Sequence, residues 1–169
     1  MTPDETDFDR LSWHDNLIYG LRIDAPDPDC GDWRSDLVLD IDHIVEWLPQ
    51  AAAGGNAPAG EARFLVAPAT LVFHGARDLR IRLDPVMAGA GLNEWAIDRV
   101  TREPAGPASG AAGAPPLFRW RIALNLPAGG EIGFDATGFS QTLRADPVGV
   151  FEQRLPPGGR PPLPPREGA

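Results

Sequence analysis

Between Asp36 and Trp47 the chain reads DLVLDIDHIVEW, with Leu37, Leu39, Ile41, Val45 and Trp47 on one phase and Asp36, Asp40, Asp42 and Glu46 on the other. A period of two puts the two sets on opposite faces of an extended strand and cannot form the 3.6-residue stripe of an amphipathic helix. The same alternation recurs along the chain. In NLIYGLRID, Leu17, Tyr19, Leu21 and Ile23 share a phase; in FRWRIALNL, Phe118, Trp120, Ile122, Leu124 and Leu126 alternate with Arg119, Arg121, Ala123 and Asn125. TLVFHGARDLRIRLD has the same character on both sides of Gly75 and reads as a hairpin or a bulged strand, with Leu79, Ile81 and Leu83 set against Asp78, Arg80, Arg82 and Asp84. In EIGFDATGFSQTLR the phase shifts from Ile132 and Phe134 to Phe139 and Leu143, which predicts a bulge near Gly138.

Repeated strands and few helical signals predict an all-β fold, an antiparallel β-sandwich or partly closed β-barrel of about seven or eight strands. The segments 51–60, 88–91, 104–116 and 127–130 are rich in Gly, Pro and Ala and are expected as loops. Strand phase nominates a core of Leu17, Tyr19, Leu21, Leu37, Leu39, Ile41, Phe73, Ile81, Trp120, Ile122, Leu124 and Phe134. Residues 8–152 are expected to form a single all-β domain, and 153–169, with LPPGGRPPLPPREGA at their end, a disordered Pro-rich tail of polyproline II character. Within it, PPLPPR also fits a peptide that docks on aromatic grooves.

Charge is distributed unevenly. The net charge is −9, yet residues 1–50 hold 13 acids against three arginines, leaving the remainder almost neutral. An acidic chain without a basic patch lacks the counterion-release drive for nucleic acid. The N-terminus has neither a basic nor an apolar leader region, and no run approaches the ~20 apolar residues of a membrane span. The lone cysteine, Cys30, forms no internal disulfide, so the cytoplasm is the expected location.

Asp40, Asp42, His43 and Glu46 invite comparison with a metal site, because carboxylate and imidazole are common ligands. Strand parity argues otherwise: Asp40 and Asp42 project together, while His43 projects with Leu39 and Ile41. The carboxylates are therefore expected on a solvent face, opposite Arg80, Arg82, Arg119 and Arg121 of neighbouring strands. His14 and His74 fall on outward faces and His43 on the inward one, and no cofactor is called for. Asp24, Asp27, Asp29 and Asp32 lie in a Pro/Gly loop whose spacing departs from a calcium-binding loop and suits a polar turn. Nucleophile-elbow, phosphate-loop and dinucleotide signatures are absent.

The elements Ser-Trp-His-Asp (Ser12–Asp15) and Asp-x-Asp-x-x-x-Glu-Trp (Asp40–Trp47), with FLVAPATLVFHGARDLRI, resemble an uncharacterised family of small bacterial proteins of unknown function. The resemblance implies no activity and no catalytic residues. In size and charge alone, such compact acidic all-β proteins resemble toxin-immunity proteins.

The leading functional expectation is a non-enzymatic module that binds a basic protein partner through Asp27, Asp29, Asp32, Trp33, Asp40 and Asp42. Two alternatives stand beside it: a β-barrel or sandwich that binds a small ligand, and a metal-dependent enzyme built on His14, Asp15, Asp40, Asp42 and His43.

Overall fold

A computed structural model describes residues 4–27, 29, 31, 33–49, 63–83, 94–107 and 113–165. Among them is a 3-10 helix, Glu5–Arg10, and nine strands: β1 Leu17–Asp24, β2 Asp36–Trp47, β3 Phe64–His74, β4 Arg77–Arg82, β5 Trp95–Pro107, β6 Pro116–Leu126, β7 Glu131–Ala136, β8 Gly138–Leu143 and β9 Val148–Val150. All pairings are antiparallel, in the order β4-β7-β6-β5-β1-β2-β3-β8, with β9 added to the first half of β3. No helix among the described residues is long and apolar enough to cross a membrane.

The path is open, but its two ends are made of the same two chain segments. β3 runs through Gly75 into β4, and β7 runs through Thr137 into β8. β3 pairs with β8, whereas β4 pairs with β7. Gly75 takes φ +61°, where a side chain is strained, and the Thr137 N–H donates to the His74 carbonyl at 2.8 Å to hold the corner. TLVFHGARDLRIRLD is thus a corner rather than a hairpin. The sheet folds over into a sandwich, with β4-β7-β6-β5 facing β1-β2-β3-β8 and only Leu17↔Ala96 and Ile18↔Trp95 joining β1 to β5. The expected 104–116 loop is shorter than predicted, because β5 continues to Pro107 and β6 begins at Pro116. Segments 51–60 and 88–91 lie outside the described residues.

Inward residues of both layers form one cluster that includes Leu37, Leu39, Ile41, Leu71, Phe73, Ile97, Trp120, Ile122, Leu124, Ile132 and Phe134. Aromatic rings meet edge to face at its centre, with Phe73 5.0 Å from Trp120 and 4.7 Å from Phe134. The 3-10 helix is capped by Asp4, whose carboxylate accepts from the Thr6 N–H at 2.9 Å. It inserts Phe8 against Trp13 and Trp120, at 5.6 and 5.5 Å. Trp13 is buried and satisfies its indole N–H on Gln141 Oε1 at 2.7 Å.

Three nominated core residues lie elsewhere, the first being Leu17, which pairs with Asp42 on the outer phase of β1 and is partly exposed. A bulge between Ile18 and Gly20 resets the phase of β1, so Ile18 enters the core while Tyr19 is left partly exposed. Ile81, on the edge strand β4, is also partly exposed. The C-terminal segment departs further from expectation: residues 153–165 lie on the outer face of β1-β2-β3 instead of trailing as a disordered tail. Leu155 is buried against Ile44 and Val66, and Arg160 forms a two-pronged pair with Asp42. Residues 166–169 lie outside the described residues.

Two outcomes follow for stability. Leu39→Ala removes a fully buried side chain from the cluster and should cost about 2–5 kcal/mol in urea melts by transfer and cavity terms. Deleting residues 156–169, or changing Arg160 to Ala, should cost about 2 kcal/mol and lower the Tm by roughly 4–8 °C. The cost stays below that of a fully buried pair because water reaches Asp42 once the segment lifts. An unchanged Tm in both variants would mean that the segment is not docked in solution.

Candidate functional site

Register fixes what the outer face of β1-β2-β3-β8 presents. Arg22, Val38, Val72 and Ser140 stand in one cross-strand row, and Gly20, Asp40, Thr70 and Thr142 in the next. Asp24 and Asp36 pair in the row at the corner, beside His74. These side chains line an open groove of about 630 Å³, together with Arg34, Gly75, Leu143, Arg144 and, from the C-terminal segment, Pro164 and Pro165. That volume suits a small organic ligand.

The groove's cations are held in place. Arg22 grips Asp24 with Nε and Nη2 at 2.6 and 3.0 Å and donates Nη1 to the Pro164 carbonyl at 3.0 Å, which ties the C-terminal segment to the rim. Arg144 is 7% exposed; it pairs with Asp40 and donates to the Ala69 carbonyl at 2.7 Å and to Thr70 Oγ1 at 3.0 Å. Its Nε–H is buried and has no acceptor among the described residues.

At the corner end three side chains from three strands meet. His74 Nε2 lies 3.0 Å from Ser140 Oγ, and His74 Nδ1 lies 3.4 Å from Asp36 Oδ2. The other oxygen, Asp36 Oδ1, accepts from the Gly75 N–H at 2.9 Å. Burial pushes the Asp36 carboxyl up, but the hydrogen bonds from His74 and the Gly75 N–H outweigh it and hold the group below the ordinary carboxylate value.

Below the groove the C-terminal segment seals the same face. Asp42 is fully buried: its carboxylate accepts Arg160 Nε at 3.0 Å, Arg160 Nη2 at 2.8 Å and the Leu155 N–H at 2.9 Å. The Arg160 guanidinium rests 3.3 Å from the centroid of the Tyr19 ring, and burial beside Asp42 pushes the Tyr19 hydroxyl up to about 12.

The sequence-predicted sites are redistributed by this arrangement. Asp40 and Asp42 do face away from the core, yet they are covered by Arg144 and Arg160 and do not form a solvent face. Arg119 and Arg121 pair instead with Asp135 and Glu131 on the opposite layer. There, the registers gather Arg77, Arg80, Arg82, Arg99, Arg119 and Arg121 around Glu103, Glu131 and Asp135, so the molecule does carry a basic face. It escaped the sequence reading because its arginines come from three strands. Asp29 and Trp33 are exposed, Trp33 by 75%, while Asp27 accepts from the Asp29 N–H; Asp32 and Cys30 lie outside the described residues.

Of the residues of the metal alternative, His14 Nε2 and Asp15 Oδ2 meet at 3.5 Å, but the five do not converge. His14 contacts the Asp98 carbonyl at 2.9 Å; Asp15 accepts from Asn125 and Gln153 at 2.7 and 3.0 Å; Asp40 and Asp42 take arginines. His43 is buried on the core side, where the Asn16 amide donates to Nδ1 at 2.9 Å. Among the described residues no three His, Cys, Asp or Glu side chains are placed to hold a metal ion. Sequence reasoning placed His74 on an outward face but gave it no role, and it missed Ser140 and Arg144. Their only signal was period-two parity across strands whose pairing was unknown.

No protein-family description, curated protein or solved structure matches the chain.

Burial pushes the His43 imidazole down from 6.5 to about 4. Between those values the unfolded chain binds the proton and the folded one does not, so this contribution is present above pH 6.5 and lost as pH falls toward 4. Urea melts should show about 2 kcal/mol of lost stability from pH 7 to pH 5, and His43→Gln should remove most of that dependence. Equal pH dependence in both proteins would place the titration elsewhere.

Proposed function

We propose that the protein binds a small carboxylate-bearing ligand in the groove over β1-β2-β3-β8. The observation that carries this reading is the lining: three guanidinium groups against the carboxylates of Asp24 and Asp36, with His74 and the hydroxyls of Thr70, Ser140 and Thr142, bordering about 630 Å³ of open space. Guanidinium groups recognise carboxylates by paired N–H donors, and those of Arg22 and Arg144 are already immobilised by Asp24 and Asp40, so little side-chain entropy is lost on binding.

A second reading, docking of a basic protein partner, rests on the exposed Trp33 and on Asp27 and Asp29 in the same acidic segment of the sequence. Asp40 and Asp42 drop out of it, because each is neutralised within the fold.

Calorimetry with acetate, succinate and citrate tests the groove. Succinate or citrate should bind more tightly than acetate, and Arg34→Gln combined with Thr142→Val should weaken binding at least about tenfold, the loss expected for one charge-assisted hydrogen bond. Absence of heat with all three probes, or identical affinities in wild type and variant, would remove the proposal.

A further inference from the structure

Asp36, His74 and Ser140 are far apart in sequence and lie on neighbouring strands. Pairing of Leu37 with Phe73 brings Asp36 opposite His74, and pairing of Val72 with Ser140 sets the serine two residues along from the histidine on the same face. The cross-strand pleat therefore aligns hydroxyl, imidazole and carboxylate in a row at the rim of the groove. His74 is 44% exposed there, open to a ligand as well as to its two partners.

We propose that Ser140 is a nucleophile toward small carboxylic esters, with His74 as its general base and Asp36 as the residue that positions His74. The inference rests on the groove being the ligand site. With the Nδ1 proton directed at Asp36, His74 Nε2 presents its lone pair to the Ser140 hydroxyl, the tautomer that base catalysis requires. The Gly75 N–H holds the other Asp36 oxygen and fixes the carboxylate's orientation. The 3.4 Å contact between Asp36 and His74 is long for the resting state and shortens when the imidazole becomes cationic.

The reaction balances without a co-reactant other than water. Ser140 Oγ forms a bond to the ester carbonyl carbon as its proton passes to His74 Nε2. The bond between that carbon and the alcohol oxygen then breaks, and His74 returns the proton to the departing alcohol. Water attacks the acylated serine, gives one proton to His74, and the acyl–Ser140 bond breaks as that proton returns to Ser140 Oγ. The products are one carboxylic acid and one alcohol. Arg22, Arg34 and Arg144 line the same groove, Arg22 and Arg144 already paired with Asp24 and Asp40, and guanidinium N–H groups there are the donors for the developing oxyanion.

The full chain is incubated with an alkyl fluorophosphonate, and the adduct is located by peptide mass spectrometry; hydrolysis of 4-nitrophenyl acetate is followed in parallel. The expected result is one adduct, on Ser140, formed with loss of fluoride. Ser140→Ala should abolish labelling, His74→Gln should slow it by about 100-fold, and Asp36→Asn should slow it while leaving the Tm within a few degrees of wild type. No adduct on the folded chain, an adduct on another residue, or labelling indifferent to His74→Gln would overturn the proposal. Localisation on the wild-type chain keeps the test decisive even where a variant folds poorly. Succinate binding with Ser140 unlabelled would overturn the nucleophile and leave the ligand site standing; labelling of Ser140 without carboxylate binding would uphold the nucleophile and remove the carboxylate reading.

Discussion

The corner at Gly75 and Thr137 is the constraint on which the rest of the architecture depends. Two long segments bend there together, so the strands that end the sheet path on one side continue those that end it on the other. Once the backbone bond from Thr137 to His74 holds that bend, the sheet folds over itself, and apolar residues of opposite layers meet. The corner also brings His74 beside Ser140 and Asp36. One glycine with a positive φ thus serves both the core and the groove rim.

Electrostatics follow from the same folding. The acids of the N-terminal third look like a surface field when counted along the chain, but several are met by arginines or polar groups from much later in it: Asp40 by Arg144, Asp42 by Arg160, Asp15 by Asn125 and Gln153. Long-range neutralisation of this kind removes charge from solvent and fixes the course of the C-terminal segment. Burying Asp42 alone would be costly; burying it with three donors offsets the lost hydration. Meanwhile the arginines of β4, β5 and β6 collect on the opposite layer, giving a nearly neutral stretch of sequence a basic face.

Strand identity and most of the core were legible because alternation is local. Leu37, Leu39 and Ile41, or Trp120, Ile122 and Leu124, have their partition between core and exterior decided by adjacent residues within one strand. Tyr19 shows where that logic stops, since a single bulge between Ile18 and Gly20 flips the phase without any mark in the apolar pattern. The tail shows a second limit. Its proline and glycine content argues correctly that it has no core of its own, yet Arg160 and Leu155 gain their stability from Asp42, Ile44 and Val66, far away in the sequence.

The sequence by itself determined an all-β sandwich-type fold, the placement of most strands and the sidedness of their residues, because each rests on a period readable over a few positions. Only the tertiary structure decided strand order, the cover over Asp40 and Asp42, the arginine face, and the meeting of Asp36, His74 and Ser140. Those depend on which strands become neighbours and in what register. Pairing between distant segments is settled by the packing of the whole chain, and no local window of residues carries it.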